Sequence, residues 1–317
     1  MEKIIIFKKN AKQRIDKFLK EEIFLNMEMT RGEIIRQIKD GKILVNGKKI
    51  KPSYVLKEND EIAMDIAEKE NRILPNEKVR FGIISQDENI IVVDKPAGLQ
   101  VHPSARNEKD TLVNGLLDKF PEIEKVGDAP AIRPGIVHRL DLGTSGILVV
   151  ARNQETFLSL KKKFKDREMK KKYWAVVHGA PEKNGVIDAP LARAANYKKQ
   201  IVANGKTRTM IRAAVTEYEV LEKNDRFALL EVSPKTGRTH QIRVHLSSIG
   251  HPIVGDEKYA QKKFTDNAGA NRLMLHAKKL EFGLGTKKYR LEVPLPSDFR
   301  DFLEKNGLSP KGLTKRG

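Results

Sequence analysis

Residues 133–152 read RPGIVHRLDLGTSGILVVAR, and the rest of the chain is read outward from them. Ile147 to Ala151 form a short continuous apolar run between Gly146 and Arg152. A run of that length suits a strand buried on both faces better than a helix, which needs more residues. Thr144-Ser145-Gly146 in front of it is a turn-forming cluster. Before the turn, His138-Arg139-Leu140-Asp141-Leu142 alternates charged and apolar residues. In extended backbone, alternate side chains share a face. Arg139 and Asp141 are then expected side by side, with Leu140 and Leu142 anchoring the opposite face. Two readings fit this pattern: an ordinary surface ion pair beside a core strand, or a carboxylate kept ionised and aimed by a guanidinium at the rim of a site.

Composition narrows the function classes. A chain of 317 residues with 39% hydrophobic residues is long enough for two domains and can bury a core. Its 61 Lys+Arg against 42 Asp+Glu leave a net charge of +19, which points to a polyanionic partner. No apolar run reaches the length of a membrane span, and MEKIIIFKKN at the start lacks a signal-peptide profile. With no cysteine, disulfides, a thiolate nucleophile and a cysteine zinc site are excluded. A cytoplasmic protein working on nucleic acid is the expectation.

Around the opening stretch the chain is punctuated regularly. A strand is expected over 3–7, a helix over 11–22 carrying Ile15, Phe18 and Leu19 on one face, and a helix over 30–39 with Thr30 as N-cap and Glu33 completing a capping box. Ile43 to Val45 reads as a strand, Asn46-Gly47 as a hairpin turn, and 61–66 as another strand. These 66 residues resemble the small RNA-binding domain named after ribosomal protein S-four, through Arg14/Asp16, Thr30-Arg31 and GKILVNGK. Residues 67–80 are charged and aperiodic, a linker. The domain from 81 to 306 is expected to hold strands over 90–93, 170–177, 215–221, 227–232, 273–282 and 288–293. Its expected helices span 111–119, 157–164 and 297–305. Residues 193–208 read as a mobile basic loop. Thr239 is a reasonable N-cap for a short helix ending at Gly250, although Val244 leaves a strand possible by periodicity. The tail, 307–317, is basic and frayed.

Several chemistries fail on spacing. GxxxxGK[ST], an opening GxGxxG and HExxH are all missing. His240 and His245 would stand roughly 140° apart on a helix, which is wrong for paired metal ligands. Ser145 sits in TSG and not in a GxSxG elbow. What remains is Asp141, arginines able to reach it (Arg139 and Arg243), and Tyr173 in KKYW.

HRLDLGTSG (138–146) resembles the signature of RluA-type RNA pseudouridine synthases. So do VVDKPAGLQVHP (92–103), KKYWAVVHG (171–179) and TGRTHQIRVHLSSIGHPIVGD (236–256). The resemblance implies an α+β chain: a small N-terminal S-four-like α/β domain, then a pseudouridine synthase catalytic domain on a mixed, mainly antiparallel sheet. It implies an isomerase that detaches uracil from ribose, rotates it and rejoins it through carbon five, without cofactor or metal. The expected substrate is RNA, most of all large-subunit ribosomal RNA, free or within ribosomal particles, and the chain is expected to act as a monomer. By motif position Asp141 is the catalytic aspartate, acting either on the anomeric carbon or on a ribose proton. Tyr173 is the active-site tyrosine and Arg243 the basic partner of the aspartate. Arg139 is expected near the extruded nucleotide, and Arg238 and His240 at RNA. In the N-terminal domain, Arg14, Arg31, Lys48 and Lys49 are the expected RNA contacts. His102 and His138 are expected to be structural.

Overall fold

The computed structural model describes residues 2–8, 12–24, 29, 31–65, 73–103, 108–194, 199–261, 264 and 267–309. The chain divides into two compact units, Met1–Asn71 and Arg72–Gly317. Thr30, the first part of the expected linker and most of the expected tail lie outside the described residues.

The first unit runs β1 (Glu2–Ile6), β2 (Gln13–Arg14), α1 (Ile15–Phe18), α2 (Arg31–Lys39), β3 (Ile43–Val45), β4 (Lys48–Lys49), β5 (Val55–Leu56) and β6 (Glu61–Asp65). Four of these strands form an antiparallel sheet in the order β1-β6-β3-β4. The β3–β4 turn works because Asn46 and Gly47 both take positive φ, 51° and 70°, which matches the twist of a two-residue hairpin. The helix expected over 11–22 is corrected: only Ile15–Phe18 is α-helical, and Leu19–Ile23 widens into a π turn. Ile15, Phe18 and Leu19 are nevertheless buried together, with Ile34 and Ile38 of α2 beneath them. Apolar spacing therefore set the buried face without setting the hydrogen-bond register.

The second unit contains β7 (Gly82–Gln86), β8 (Ile90–Lys95), α3 (Leu112–Lys119), β9 (Ser145–Ala151), α4 (Gln154–Lys165), β10 (Lys170–His178), β11 (Asn184–Asp188), β12 (Leu191–Arg193), β13 (Gln200–Val202), β14 (Val215–Lys223), β15 (Phe227–Pro234), α5 (Gln241–Ser248), β16 (Leu275–Leu284), β17 (Lys287–Glu292) and α6 (Ser297–Lys305). Its sheet has the order β11-β14-β15-β10-β16-β9-β8-β7, with β17 also on β16. Among the described strands every pairing in that sheet is antiparallel except β16 with β9. This is the mixed, mainly antiparallel sheet expected. Every residue of β9 is buried, because its two faces meet separate cores. Leu148 and Val150 pack with α3, while Ile147 and Val149 pack with Phe157 and Leu160 of α4.

Other expectations need correction. Ile73 and Val79, placed in the linker, are buried at 7% and 6% exposure, and Ile73 joins the α3 core. The linker's described part, residues 73–80, is held further by hydrogen bonds of Asn76 and Leu74 with Asn114. Within the expected mobile loop, Gln200 to Val202 pair with Leu191 to Arg193, so these residues form a pair of antiparallel strands. The 239–250 segment is helical, but its N-cap is His240 and not Thr239. Leu142 does not anchor a buried face: it is 54% exposed, while Leu140 is buried.

Candidate active site

The site begins with how tightly β9 lies against β16. The two pair in parallel through His276 with Ser145 and Ala277 with Gly146. A Cβ on Gly146 would lie 2.3 Å from the Ala277 carbonyl oxygen, and its φ is +111°, so only glycine fits there. The Ser145 hydroxyl and His276 Nδ1 are 2.9 Å apart beneath this seam. Burial pushes His276 down to about 3, so it is neutral there.

The preceding residues turn sharply: the Thr144 N–H donates to the Asp141 carbonyl at 3.1 Å. The next carbonyl, Leu142, accepts from the Gly98 N–H at 2.8 Å and from Lys95 Nζ at 3.3 Å. Lys95 is fully buried and also donates to the carbonyls of Pro96 (2.9 Å) and Leu99 (2.7 Å). Burial draws its pKa down to about 7, against the pull of the Asp141 charge. The DKPAG turn and the Asp141 turn are thus clamped together by one ammonium. Upstream, His138 Nε2 accepts from the Val149 N–H at 2.9 Å and its ring stacks on Phe164. Burial holds it down near 3, so it serves as a neutral acceptor, a structural role. His102 Nδ1 lies 3.0 Å from the Pro103 carbonyl, and burial again lowers its pKa.

Asp141 meets the second half of the site through α5. Its Oδ2 accepts from Arg243 Nη1 at 3.3 Å. Arg243 commits its other edge to Asp256, with Nε to Oδ2 and Nη2 to Oδ1 both at 2.8 Å. The Asp256 side chain is fully buried, and its Oδ1 also accepts from the backbone N–H groups of Lys258 and Tyr259. Burial opposes the Arg243 charge, but Asp256 and then Asp141 outweigh it and raise its pKa. The sequence did not single out Asp256, although it closes the HPIVGD motif. Arg139 and Asp141 share the cleft, as alternation suggested, but the hydrogen bond to Asp141 comes from Arg243, which lies 102 positions away.

α5 is aimed by Gln241, whose hydrogen-bonding groups are all used. Its Oε1 accepts from the Thr236 hydroxyl and the Arg238 N–H, and its Nε2 donates to the Val215 carbonyl and the Thr216 hydroxyl. His245 points into the protein between Thr216 and the Ala189 carbonyl, so it and His240 are not paired ligands. His240 faces the cleft with Nε2 4.0 Å from Asp141 Oδ1.

Tyr173 enters from β10 at a register shift, opposite Val232 on one side and Ala277 on the other. Burial, then the Asp141 charge, raises the pKa of its hydroxyl, so the phenol stays protonated. Asp141, Tyr173 and Arg243 line one cavity of about 140 Å³, together with Arg139, Arg238 and His240. The six residues expected in the catalytic domain are thus brought together. Arg139 is exposed, and Arg238 Nε donates to the Ala213 carbonyl at 3.1 Å.

The four expected RNA contacts of the first unit divide into two pairs. Lys48 and Lys49 are exposed on β4. Arg14 and Arg31 instead converge on the carboxylate of Asp16, which is fully buried: Arg14 Nε lies at 3.0 Å and Arg31 Nη2 at 2.6 Å. Burial alone would raise the pKa of Asp16, yet hydrogen bonds and charge from Arg31 and Arg14 hold it below the usual range.

Comparison with known proteins identifies the family. The family model described as RNA pseudouridylate synthase matches residues 89–248, and the S4 domain model matches residues 13–62. The chain is 37% identical to an uncharacterised RNA pseudouridine synthase of Bacillus subtilis, over 93% of this chain and 95% of that protein. It is 35% identical to the ribosomal large subunit pseudouridine synthase D of Pseudomonas aeruginosa, over 90% of each. Among solved structures it is similar to human RNA pseudouridylate synthase domain containing 4, with a TM-score of 0.57 and 30% identity, over 71% of this chain and 92% of that one. The matched family models and relatives 35–37% identical over at least 90% of both chains make the chain a member of the RNA pseudouridylate synthase family, with an S4 domain ahead of the catalytic one.

Proposed function

We propose that the enzyme isomerises uridines of large-subunit ribosomal RNA, without a cofactor, and that Asp141 acts at the ribose of the target nucleotide. The observation that carries this reading is the setting of the Asp141 carboxylate. It is 18% exposed, opens into the cleft, and is oriented by an arginine that is itself held on the buried Asp256. The substrate class is supported by relatives named as ribosomal large subunit pseudouridine synthases.

The chemistry follows from charge. Cleaving the bond between the ribose anomeric carbon and uracil N1 develops positive charge on the sugar, as in glycoside hydrolysis. A carboxylate in a partly dry cleft stabilises that charge or attacks it. Uracil then turns, carbon five bonds to the anomeric carbon, the carbon-five proton leaves and N1 gains one. No atoms are lost or added. Because the base stays in the cleft, one carboxylate suffices where glycosidases use two. Tyr173, a protonated phenol on the cleft wall, offers a stacking face and a hydroxyl close to the turned base. Extruding the nucleotide costs a few kcal/mol, which Arg139 and Arg238 offset by holding flanking phosphates. Lys48 and Lys49, with the outer edges of Arg14 and Arg31, add phosphate contacts from the S4 domain.

Asp141→Asn tests the assignment. Pseudouridine formation should be abolished, while RNA affinity stays within severalfold, because losing a negative charge does not weaken phosphate contacts. Turnover by the purified variant, freed of host enzyme, would remove Asp141 from the role.

A further inference from the structure

His240 is the one cleft residue whose backbone is strained. It caps α5 in the left-handed region, φ 56° and ψ 19°, which is uncommon for a non-glycine residue. Strain of this kind persists where surrounding contacts over-determine the conformation, and here those contacts are explicit. His240 Nδ1 is 2.8 Å from the hydroxyl oxygen of Tyr259, and the two rings meet edge to face. The same oxygen accepts from the Gln200 N–H at 3.0 Å. Tyr259 is only 8% exposed, and its ring also lies against the Arg243 guanidinium, 5.1 Å from centroid to carbon.

Counting donors decides where the protons are. The Tyr259 hydroxyl has one hydrogen to give, and Gln200 already donates to its oxygen. Of its two hydrogen-bond neighbours, only His240 Nδ1 can accept that hydrogen. If Nδ1 carried a proton, in the other tautomer or in the imidazolium, the buried hydroxyl would hold a hydrogen with no acceptor among the described residues, which is costly. The neutral imidazole therefore keeps its proton on Nε2, the nitrogen facing Asp141.

We infer that His240 is a neutral Nε2–H donor to an oxygen of the extruded nucleotide beside Asp141, and that Tyr259 is the positioning residue that locks it in that tautomer. This deepens the proposed reading of the cleft and rests on it. It also reassigns His240: a neutral imidazole is not a phosphate-neutralising cation. The groups acting on it are mixed in sign. Burial lowers its pKa, Asp141 and Asp256 oppose that, and Arg243 and Lys258 add to it. A neutral donor suits the task because it offers a hydrogen bond without neutralising the carboxylate that must meet developing positive charge. Gln200 belongs to β13, so the β12–β13 hairpin is tied to the cleft through the same hydroxyl.

The test uses the full-length protein. Nitrogen-15 shifts of the His240 ring in the RNA-free enzyme report the tautomer directly. A protonated Nε2 with an unprotonated Nδ1 at pH 7 is expected; a protonated Nδ1, or imidazolium, would overturn the assignment. Tyr259→Phe keeps the ring and removes the lock. It should mix the two tautomers and lower kcat several-fold with KM within about twofold, whereas unchanged shifts and rate would remove Tyr259 from the role. His240→Asn, a residue that tolerates the left-handed region, should leave the salt dependence of RNA binding as in wild type. A slope shallower by about one would make His240 a phosphate contact instead. Failure of the parent reading looks different, since Asp141→Asn would then turn over whatever the His240 tautomer.

Discussion

Arg243 holds Asp256 with two hydrogen bonds of 2.8 Å and reaches Asp141 with a third at 3.3 Å. The shorter pair goes to the fully buried acid and the longer bond to the one in the cleft. A planar guanidinium with one edge fixed has little freedom left at the other, so Asp256 sets where Arg243 Nη1 points.

Asp256→Asn should therefore damage catalysis without touching a cleft residue. Removing one partner of a buried pair costs about 3–5 kcal/mol, which would appear in denaturant unfolding of the catalytic domain. Arg243→Lys keeps the charge but not the fork. It should lower kcat by about a hundredfold, the scale of an ångström-level misplacement, with RNA affinity nearly unchanged. An Arg243→Lys enzyme that loses affinity and keeps kcat would place Arg243 among the RNA contacts.

Tyr173→Phe separates stacking from proton transfer. Because burial and Asp141 raise the pKa of the hydroxyl, it stays protonated through the neutral range and adds no inflection to the rate profile between pH 6 and 9. The variant keeps the aromatic face, so glycosidic cleavage should persist. Release of finished pseudouridine should stall if the hydroxyl relays the carbon-five proton. Wild-type single-turnover rates would confine Tyr173 to stacking.

In the S4 domain the pH dependence has a definite sign. Asp16 has a folded pKa below its ordinary value, so the stability it contributes is present above ~4 and is lost as pH falls through the folded pKa. Acid titration of unfolding should show that loss in wild type and not in Asp16→Asn, which is destabilised at neutral pH. The same variant frees Arg14 and Arg31, so its RNA binding should gain salt sensitivity wherever the domain stays folded. An unchanged slope would mean that these two arginines only hold the domain together.

How much of this was legible follows from what each residue depends on. The apolar run of β9 was readable because every one of its residues is buried. Asp141, Tyr173 and Arg243 were readable through motifs, and the structure brings them to one cleft. Asp256 was not, since its role depends on a turn that returns it to a helix 13 positions earlier. β7 was missed because all five of its residues are exposed, leaving no period in the sequence. The π turn after α1 and the β12–β13 hairpin were missed for a related reason: hydrogen-bond register and strand pairing there are set by tertiary contacts, which local spacing does not record. Lys95 was not singled out, because its role lies in three carbonyls that only the fold brings to it.

The parallel seam, Ser145 and Gly146 against His276 and Ala277, also bears on the order in which the chain folds. The two sides lie 131 positions apart, and closing so long a span is slow compared with local folding. During synthesis the S4 domain and most of the sheet precede β16. The turn bearing Asp141, already held by Gly98 and Lys95, gains the support of the seam only when that strand emerges. A nascent chain can therefore hold a folded S4 domain well before β9 meets its parallel partner.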